Sequence, residues 1–541
     1  MSPIPYKIDS FDLILYLFHR IKMQVISNFN LNIHHGLDIP LQIIPDGEYF
    51  GILELDIAKT TILPAPLFLL CSIDNTGSMD ECGGKGLSKM HYVKETFKKM
   101  IQFLSEKEAE IYVRVHAFNE TVSVVVESTR ISKETIGSII QTIQNLTPDK
   151  CTAIDIALTE AEKAMQEYSR CNPSHVISHI FMTDGQPTAG NRNYKDLVNM
   201  VSADFTTAFI GFGEGHNSTL LRKCSENGKD STYDFVDDIE NTGIVYGDII
   251  HSLLYPAVFE PKIETEMGKI YNWKTNEWTT SIIDSTLIGD SKRIYHVKTY
   301  DPNLFIAKIY GKLTSSESAS VDELNFAAVL PALINGETGE EMSSHTDLTK
   351  YLFRHATLEL LYKVRSSWDH DVVASKSDIC DLFRKMKVYM RMNNMLEDPM
   401  MKQLCDDLYI TYKNIGQVNG EMYASARYNS QGRQQSHNIT TPRSASSQTT
   451  QVDRFDLNTR FERQNACTIN YITPLQNPSD LEDIFTGFGQ EPSIPRISRQ
   501  EDDIDLHDMS TDPVSCFASQ SATQTMRSLR EPYGSPNPSL N

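Results

Sequence analysis

Asp74, Thr76 and Ser78 alternate along Asp74-Asn75-Thr76-Gly77-Ser78. One carboxylate and two hydroxyls are thereby offered from a single short loop, and Gly77 lets the chain turn sharply between them. Hard oxygens that converge at the carboxyl end of a strand suit a small hard cation such as Mg²⁺. Two later segments carry the same residue types. Thr152 follows Leu146-Thr147-Pro148-Asp149-Lys150-Cys151 and opens a helical stretch. Asp184 ends the apolar run His179-Ile180-Phe181-Met182-Thr183 and is followed by Gly185.

These residues need a scaffold, and the flanking patterns supply one. Leu67-Phe68-Leu69-Leu70-Cys71-Ser72-Ile73 is continuously apolar but for one serine, which predicts a fully buried strand of a parallel sheet. Met90, Val93, Phe97, Met100, Ile101 and Leu104 fall on one helical face that starts after the cap residue Ser88. Ile154, Ala157, Leu158, Ala161, Met165 and Tyr168 trace a second helical stripe. Strands at 111–118, 122–126, 179–184 and 206–210 alternate with these helices. The expected fold class is α/β, a doubly wound, mostly parallel sheet.

The order is Asp-x-Thr-x-Ser, then Thr, then Thr-Asp-Gly, each at a strand or helix end. Over residues 65–255 this resembles the von Willebrand factor type A (VWA) domain and its metal-ion-dependent adhesion site. The resemblance implies that Thr76 and Ser78 bind a metal directly and that Thr152 does so directly or conditionally. It implies that Asp74 and Asp184 act mostly through bridging waters, and that the cation is Mg²⁺ or Mn²⁺. Neutral hydroxyls next to the metal leave its charge incompletely neutralised, so it attracts an Asp or Glu carboxylate from a partner protein. The implied function is a non-enzymatic scaffold for protein–protein interaction. Two departures stand out. Thr76 replaces the commoner serine, and its β-branching stiffens the rotamer. Lys150-Cys151 stands where the family often has glycines.

The rest of the chain divides by pattern. Residues 1–64 form an N-terminal β-rich segment, with alternation in Tyr49-Phe50-Gly51-Ile52-Leu53-Glu54-Leu55-Asp56-Ile57. Residues 256–345 read as a small antiparallel, β-sandwich-like domain that the strands of residues 26–64 could join, with a hairpin turn at Lys274-Thr275-Asn276. Residues 346–414 read as a helical region in which Met386, Met390 and Met395 form a core stripe, because thioethers fill irregular gaps. From about residue 415 to 541 the Ser/Gln/Asn/Thr-rich composition predicts a largely disordered tail. A metal-site domain followed by a β-sandwich and helices resembles a group of intracellular eukaryotic proteins. Within the tail, 470–474 and 481–485 are candidate docking motifs. The acidic run Glu501-Asp502-Asp503-Ile504-Asp505-Leu506-His507-Asp508 is a solvated stretch or an intramolecular competitor for the metal site.

The chain has 541 residues and a formal net charge of −21. That balance argues against broad binding to nucleic acid or anionic membranes. No run of about 18 apolar residues predicts membrane insertion. The nine cysteines are scattered singly without a Cys-x-x-Cys pair, which fits a reducing, cytoplasmic setting. The alternative function is a substrate-recruiting component of a ubiquitin-ligase system, though no RING-type zinc motif is visible. Gly83-Gly84-Lys85-Gly86 lacks the earlier glycine and the following Ser/Thr of a phosphate loop, and Gly211-Phe212-Gly213-Glu214-Gly215 has the wrong spacing for a dinucleotide fingerprint.

Overall fold

The computed structural model describes residues 23–30, 48–60, 62, 65–84, 87–213, 215–236, 242–301, 304–313, 326–329, 348–366, 372–416, 420–434 and 515–530. The candidate motifs at 470–474 and 481–485 and the acidic run 501–508 lie outside these residues. Two N-terminal strands, β1 (Met23–Asn30) and β2 (Tyr49–Ile57), precede the strand that carries Asp74, β3 (Leu67–Asp74). The short strands β4 (Cys82–Gly84) and β5 (Leu87–Ser88) lead into α1 (Lys89–Ser105). The α/β module continues through β6 (Ile111–Phe118), β7 (Val122–Arg130), α2 (Ile136–Gln144), α3 (Ile154–Cys171) and β8 (Val176–Thr183). It is completed by α4 (Tyr194–Asn199), β9 (Thr206–Phe212), α5 (Ser218–Asn227), β10 (Thr232–Val236) and α6 (Thr242–Leu254).

The central sheet has the order β10-β9-β8-β3-β6-β7. All its pairings are parallel except that of the edge strand β7 with β6. This is the mostly parallel, doubly wound sheet expected from the apolar runs. All eight residues of β3 are buried, because the strand is central and covered on both faces. Leu67, Leu69, Cys71 and Ile73 share a core with Val93, Phe97, Met100 and Ile101 of α1 and with Tyr246 and Ile250 of α6. Phe68 and Leu70 point the other way, onto Ala161, Ala164 and Met165 of α3. Alternate side chains of one strand thus feed two helical layers. Ser88 caps α1 by accepting a hydrogen bond from the His91 backbone N–H at 3.3 Å.

Cys71 is fully buried and Cys82 exposed. Burial also pushes the Cys71 thiol pKa far up, so its thiolate is scarce at neutral pH. Maleimide labelling of the native protein should therefore modify Cys82 within minutes and spare Cys71, as read by peptide mass mapping. Rapid native labelling at position 71 would contradict the buried central strand.

Two antiparallel sheets follow. Their strands are β11 (Pro256–Glu266), β12 (Gly268–Asn272), β13 (Glu277–Thr279), β14 (Ser281–Ile283), β15 (Leu287–Ile288), β16 (Ser291–Thr299), β17 (Ile306–Leu313) and β18 (Phe326–Val329). One sheet has the order β1-β2-β16-β12-β13, so the N-terminal strands complete it. The other runs β14-β11-β17-β18, with β15 also paired to β11. Leu53, Leu55 and Val297 of the first sheet and Ile263, Ala307 and Ile309 of the second share one core. Asn272 faces Glu277 across the turn between β12 and β13, where Asn276 takes φ 59°.

A helical module follows with α7 (Thr349–Ser366), α8 (Val372–Met392), α9 (Pro399–Asn414) and α10 (Gly420–Arg433). Met386, Met390, Met400 and Met401 lie in its core. The last helix among the described residues, α11 (Gln520–Arg530), packs on α6. Two segments of the stretch read as a largely disordered tail are thus helices. Composition concealed α10 because much of its burial is polar, beside that of Met422, Tyr423 and Tyr428. Arg427 is fully buried between Asp406 and Asp407, and Gln431 donates to Asp407 at 2.8 Å. Composition concealed α11 because only Ala522, Thr525, Met526 and Leu529 are buried, a narrow stripe in a polar sequence. Gly247 of α6 permits the contact, since a Cβ there would lie 2.6 Å from the Met526 Cα.

Candidate metal centre

The site lies at the carboxyl ends of β3 and β8, two neighbours in the sheet. After Asp74 the chain turns through Thr76 into a 3₁₀ turn, Gly77–Asp80. The Thr76 backbone N–H donates to Asp74 Oδ1 at 3.0 Å and so fixes the carboxylate to its own loop. The second oxygen, Asp74 Oδ2, accepts from Thr183 Oγ1 at 2.5 Å. Thr76 Oγ1 and Ser78 Oγ are 3.0 Å apart, and Ser78 Oγ donates to Asp184 Oδ1 at 2.7 Å. Three of the predicted oxygen donors therefore form one connected chain.

Thr152 arrives from the loop between α2 and α3. That loop is tied to the first one by main-chain hydrogen bonds, from Asp149 N to Asn75 O at 2.9 Å and from Gly77 N to Lys150 O at 3.1 Å. Lys150 takes φ 70°, the left-handed conformation that glycine adopts without a Cβ penalty. The lysine thus keeps the backbone course at a steric cost. Thr152 N donates to Thr188 Oγ1 at 2.8 Å. A Cβ on Gly185 would lie 3.3 Å from Thr152 Oγ1 and 3.9 Å from Ser78 Oγ. Those two hydroxyls flank the same point, and glycine at 185 leaves it open. All five residues singled out by the sequence stand around one locus.

Asp74, Thr76, Thr152 and Asp184 are buried, whereas Gly77 and Glu81 are exposed and Ser78 is half-buried. The locus therefore opens to solvent past the 3₁₀ turn. Burial raises the Asp74 pKa, repulsion from Asp184 adds to it, and hydrogen bonds from Thr183 and Thr76 oppose it. The net result is a pKa of about 6.

Two roles escaped the sequence reading. Thr183 orients Asp74. Lys89, the first residue of α1, places Nζ 2.7 Å from Asp184 Oδ2 and 2.9 Å from Glu81 Oε2. Burial disfavours its charge, but hydrogen bonds and attraction to Asp184 and Glu81 outweigh this and raise its pKa. A signal was present, since a lysine in a helix's first turn opposes the macrodipole and calls for a specific anion.

The donors fit a small hard cation. Among the described residues no group of three or more His, Cys, Asp or Glu side chains could hold a metal. The set here is two carboxylates and three hydroxyls, all oxygen, which suits Mg²⁺ or Mn²⁺ and not a thiophilic metal. Asp74 and Asp184 supply the negative charge, while Thr76, Ser78 and Thr152 supply neutral oxygens.

A doubly wound sheet with this loop set at its carboxyl edge defines an α/β domain that presents oxygen donors at a surface opening. Residues 70–247 match the von Willebrand factor type A domain model, and this part of the chain is a VWA domain. The β and helical modules lie outside that match. Among solved structures, the chain is similar to a von Willebrand factor type A protein from Catenulispora acidiphila, with 15% identity and a TM-score of 0.47. That match covers 76% of this chain and 96% of the other. It is also similar to the ArnB paralog VWA2 from Sulfolobus acidocaldarius, with 11% identity and a TM-score of 0.43, covering 77% and 98%. Proximal thread matrix protein 1 from the mussel byssus matches over 30% of this chain and 40% of its own, at 18% identity and a TM-score of 0.24. No curated protein matches the sequence. Nothing in these matches supports the ubiquitin-ligase alternative.

Proposed function

We propose that this protein is a non-enzymatic interaction scaffold whose VWA domain docks a partner carboxylate through a bound Mg²⁺ or Mn²⁺. The observation that carries this reading is the convergence of Thr76 Oγ1, Ser78 Oγ and Asp184 Oδ1 in one hydrogen-bonded chain, with Thr152 Oγ1 beside it. A cation held by hydroxyls and two acids keeps enough charge to take an Asp or Glu side chain from outside. No nucleophile–base pair at this locus is needed for that role. The described cysteines are all free thiols, which suits a reducing, cytoplasmic setting. No helix among the described residues is long and apolar enough to cross a membrane.

Affinity capture with the full chain tests the reading. Wild type and Asp74→Ala are compared in Mg²⁺ and in chelator. Partner recovery is expected only from wild type in Mg²⁺, and the recovered complex should dissociate on chelation. Equal recovery under chelation, or by Asp74→Ala, would contradict a cation-bridged contact.

A further inference from the structure

Lys89 is the one lysine that reaches the candidate metal centre among the described residues. Its backbone is pinned, because its N–H donates to Glu81 O at 3.0 Å and Ser88 caps the helix it begins. Its ammonium touches two carboxylates of different kind. Asp184 has a fully buried side chain, whereas the side chain of Glu81 is 68% exposed. Asp184 already accepts from Ser78 through its other oxygen. The same carboxylate is thus shared between the hydroxyl chain that would hold a divalent cation and a tethered monovalent one.

Resting on the metal reading above, we propose that Lys89 is a built-in rival cation that sets the divalent affinity of this site. While its ammonium holds Asp184, it offsets one of the two acidic charges available to the metal. When a divalent cation enters, Lys89 gives up Asp184 and keeps Glu81, which it already touches. Glu81 is then a parking site, and its exposure lets the ammonium regain water there. The consequence is a site held in a weak range, where occupancy follows the supply of cation and carboxylate. An ammonium held against Asp184 at a partly buried locus repels a second cation there, so removing it should tighten divalent binding by about tenfold or more.

The test is a Mn²⁺ titration of the full chain, with free Mn²⁺ read by electron paramagnetic resonance and folding checked by circular dichroism. Lys89→Met and the more polar Lys89→Gln should both bind about tenfold or more tightly than wild type, whereas Lys89→Arg should not. Glu81→Gln should weaken binding in the wild-type background and have much less effect in Lys89→Met, because it acts through the lysine. Equal or weaker binding by folded Lys89→Met and Lys89→Gln overturns the proposal while wild-type binding leaves the metal reading standing. Binding by Lys89→Met but not by wild type upholds it. If wild type and both variants bind no Mn²⁺, both readings fall together.

Discussion

Replacing Arg427 with alanine is expected to destabilise the folded chain by about 3–5 kcal/mol, the largest single-residue loss in the helical module. Arg427 is 1% exposed, and so are Asp406 and Asp407. Its Nη1 donates to Asp406 Oδ2 at 3.1 Å and to Asp407 Oδ1 at 2.9 Å. Truncation would leave two adjacent buried carboxylates of α9 without their counter-charge. Burial already raises the Asp407 pKa to about 6 against the pull of Arg427, so without the guanidinium it would tend to protonate. Arg427→Lys keeps the charge but loses the planar fork, and it should recover only part of the loss. Denaturant melts followed by circular dichroism check this. A loss for Arg427→Ala below about 1 kcal/mol would mean that the network is not holding α10 in place.

Acidification from pH 7.5 to 5 should destabilise the protein by at least about 3 kcal/mol. Three buried neutral histidines of the VWA domain carry most of this, and burial of His251 and His296, whose pKa values are also lowered, adds to it. Burial lowers the pKa of His116 to about 4, of His179 to about 3 and of His216 to about 4. Arg114 lowers His116 further, and His116 in turn lowers His179. In the unfolded chain all three titrate near their ordinary value, about 6.5. The unfolded state therefore binds more protons below that pH. The stability they contribute is complete above about 6.5 and is lost as pH falls toward 4 and 3. Each accounts for about 2 kcal/mol at pH 5. Asp74 and Asp407, with pKa values raised to about 6, work in the opposite direction. Their folded forms take up protons first and return about 1 kcal/mol each over the same interval. Urea melts across this range should show the decline, and His179→Asn should remove about a third of the contribution of the three VWA-domain histidines. A flat profile would contradict the burial of these imidazoles. His179 is held by Ser72 Oγ at 2.9 Å, a structural contact and not a metal one.

Much of the VWA domain was legible because its signals are local. A strand buried on both faces is apolar at nearly every position, so Leu67–Ile73 declared itself despite Ser72. The stripe of α1 and its serine cap did so as well. The five site residues were legible as types at strand and helix ends. What their spacing could not give was the hydrogen-bonded order from Thr76 through Ser78 to Asp184, which depends on the sheet bringing β3 and β8 side by side. Lys89 was hidden for the same reason, since it is 95 residues from the aspartate it contacts. The helix α10 was missed on physical grounds of another kind. Beside the apolar contacts of Met422, Tyr423 and Tyr428, it is buried through ion pairs and amide hydrogen bonds, whose residues read as solvated in a hydropathy pattern. Arg354 Nη2 donates to Gln431 O at 2.6 Å, and Gln434 pairs with the main chain of Ile294. Such burial becomes visible only when its partners are placed.

Mn²⁺ binding by the intact chain tests the central claim most directly. Wild-type protein should bind one ion with a dissociation constant in the submillimolar to millimolar range, since a hydroxyl-rich site binds more weakly than an all-carboxylate cage. Mg²⁺ should displace it. Ser78→Ala and Asp184→Ala should each lose at least about tenfold in affinity, because each removes an oxygen donor or the charge that orders one. Absence of binding by wild type and by Lys89→Met alike, or affinities unchanged in both variants, would contradict the assignment of this locus as a metal centre.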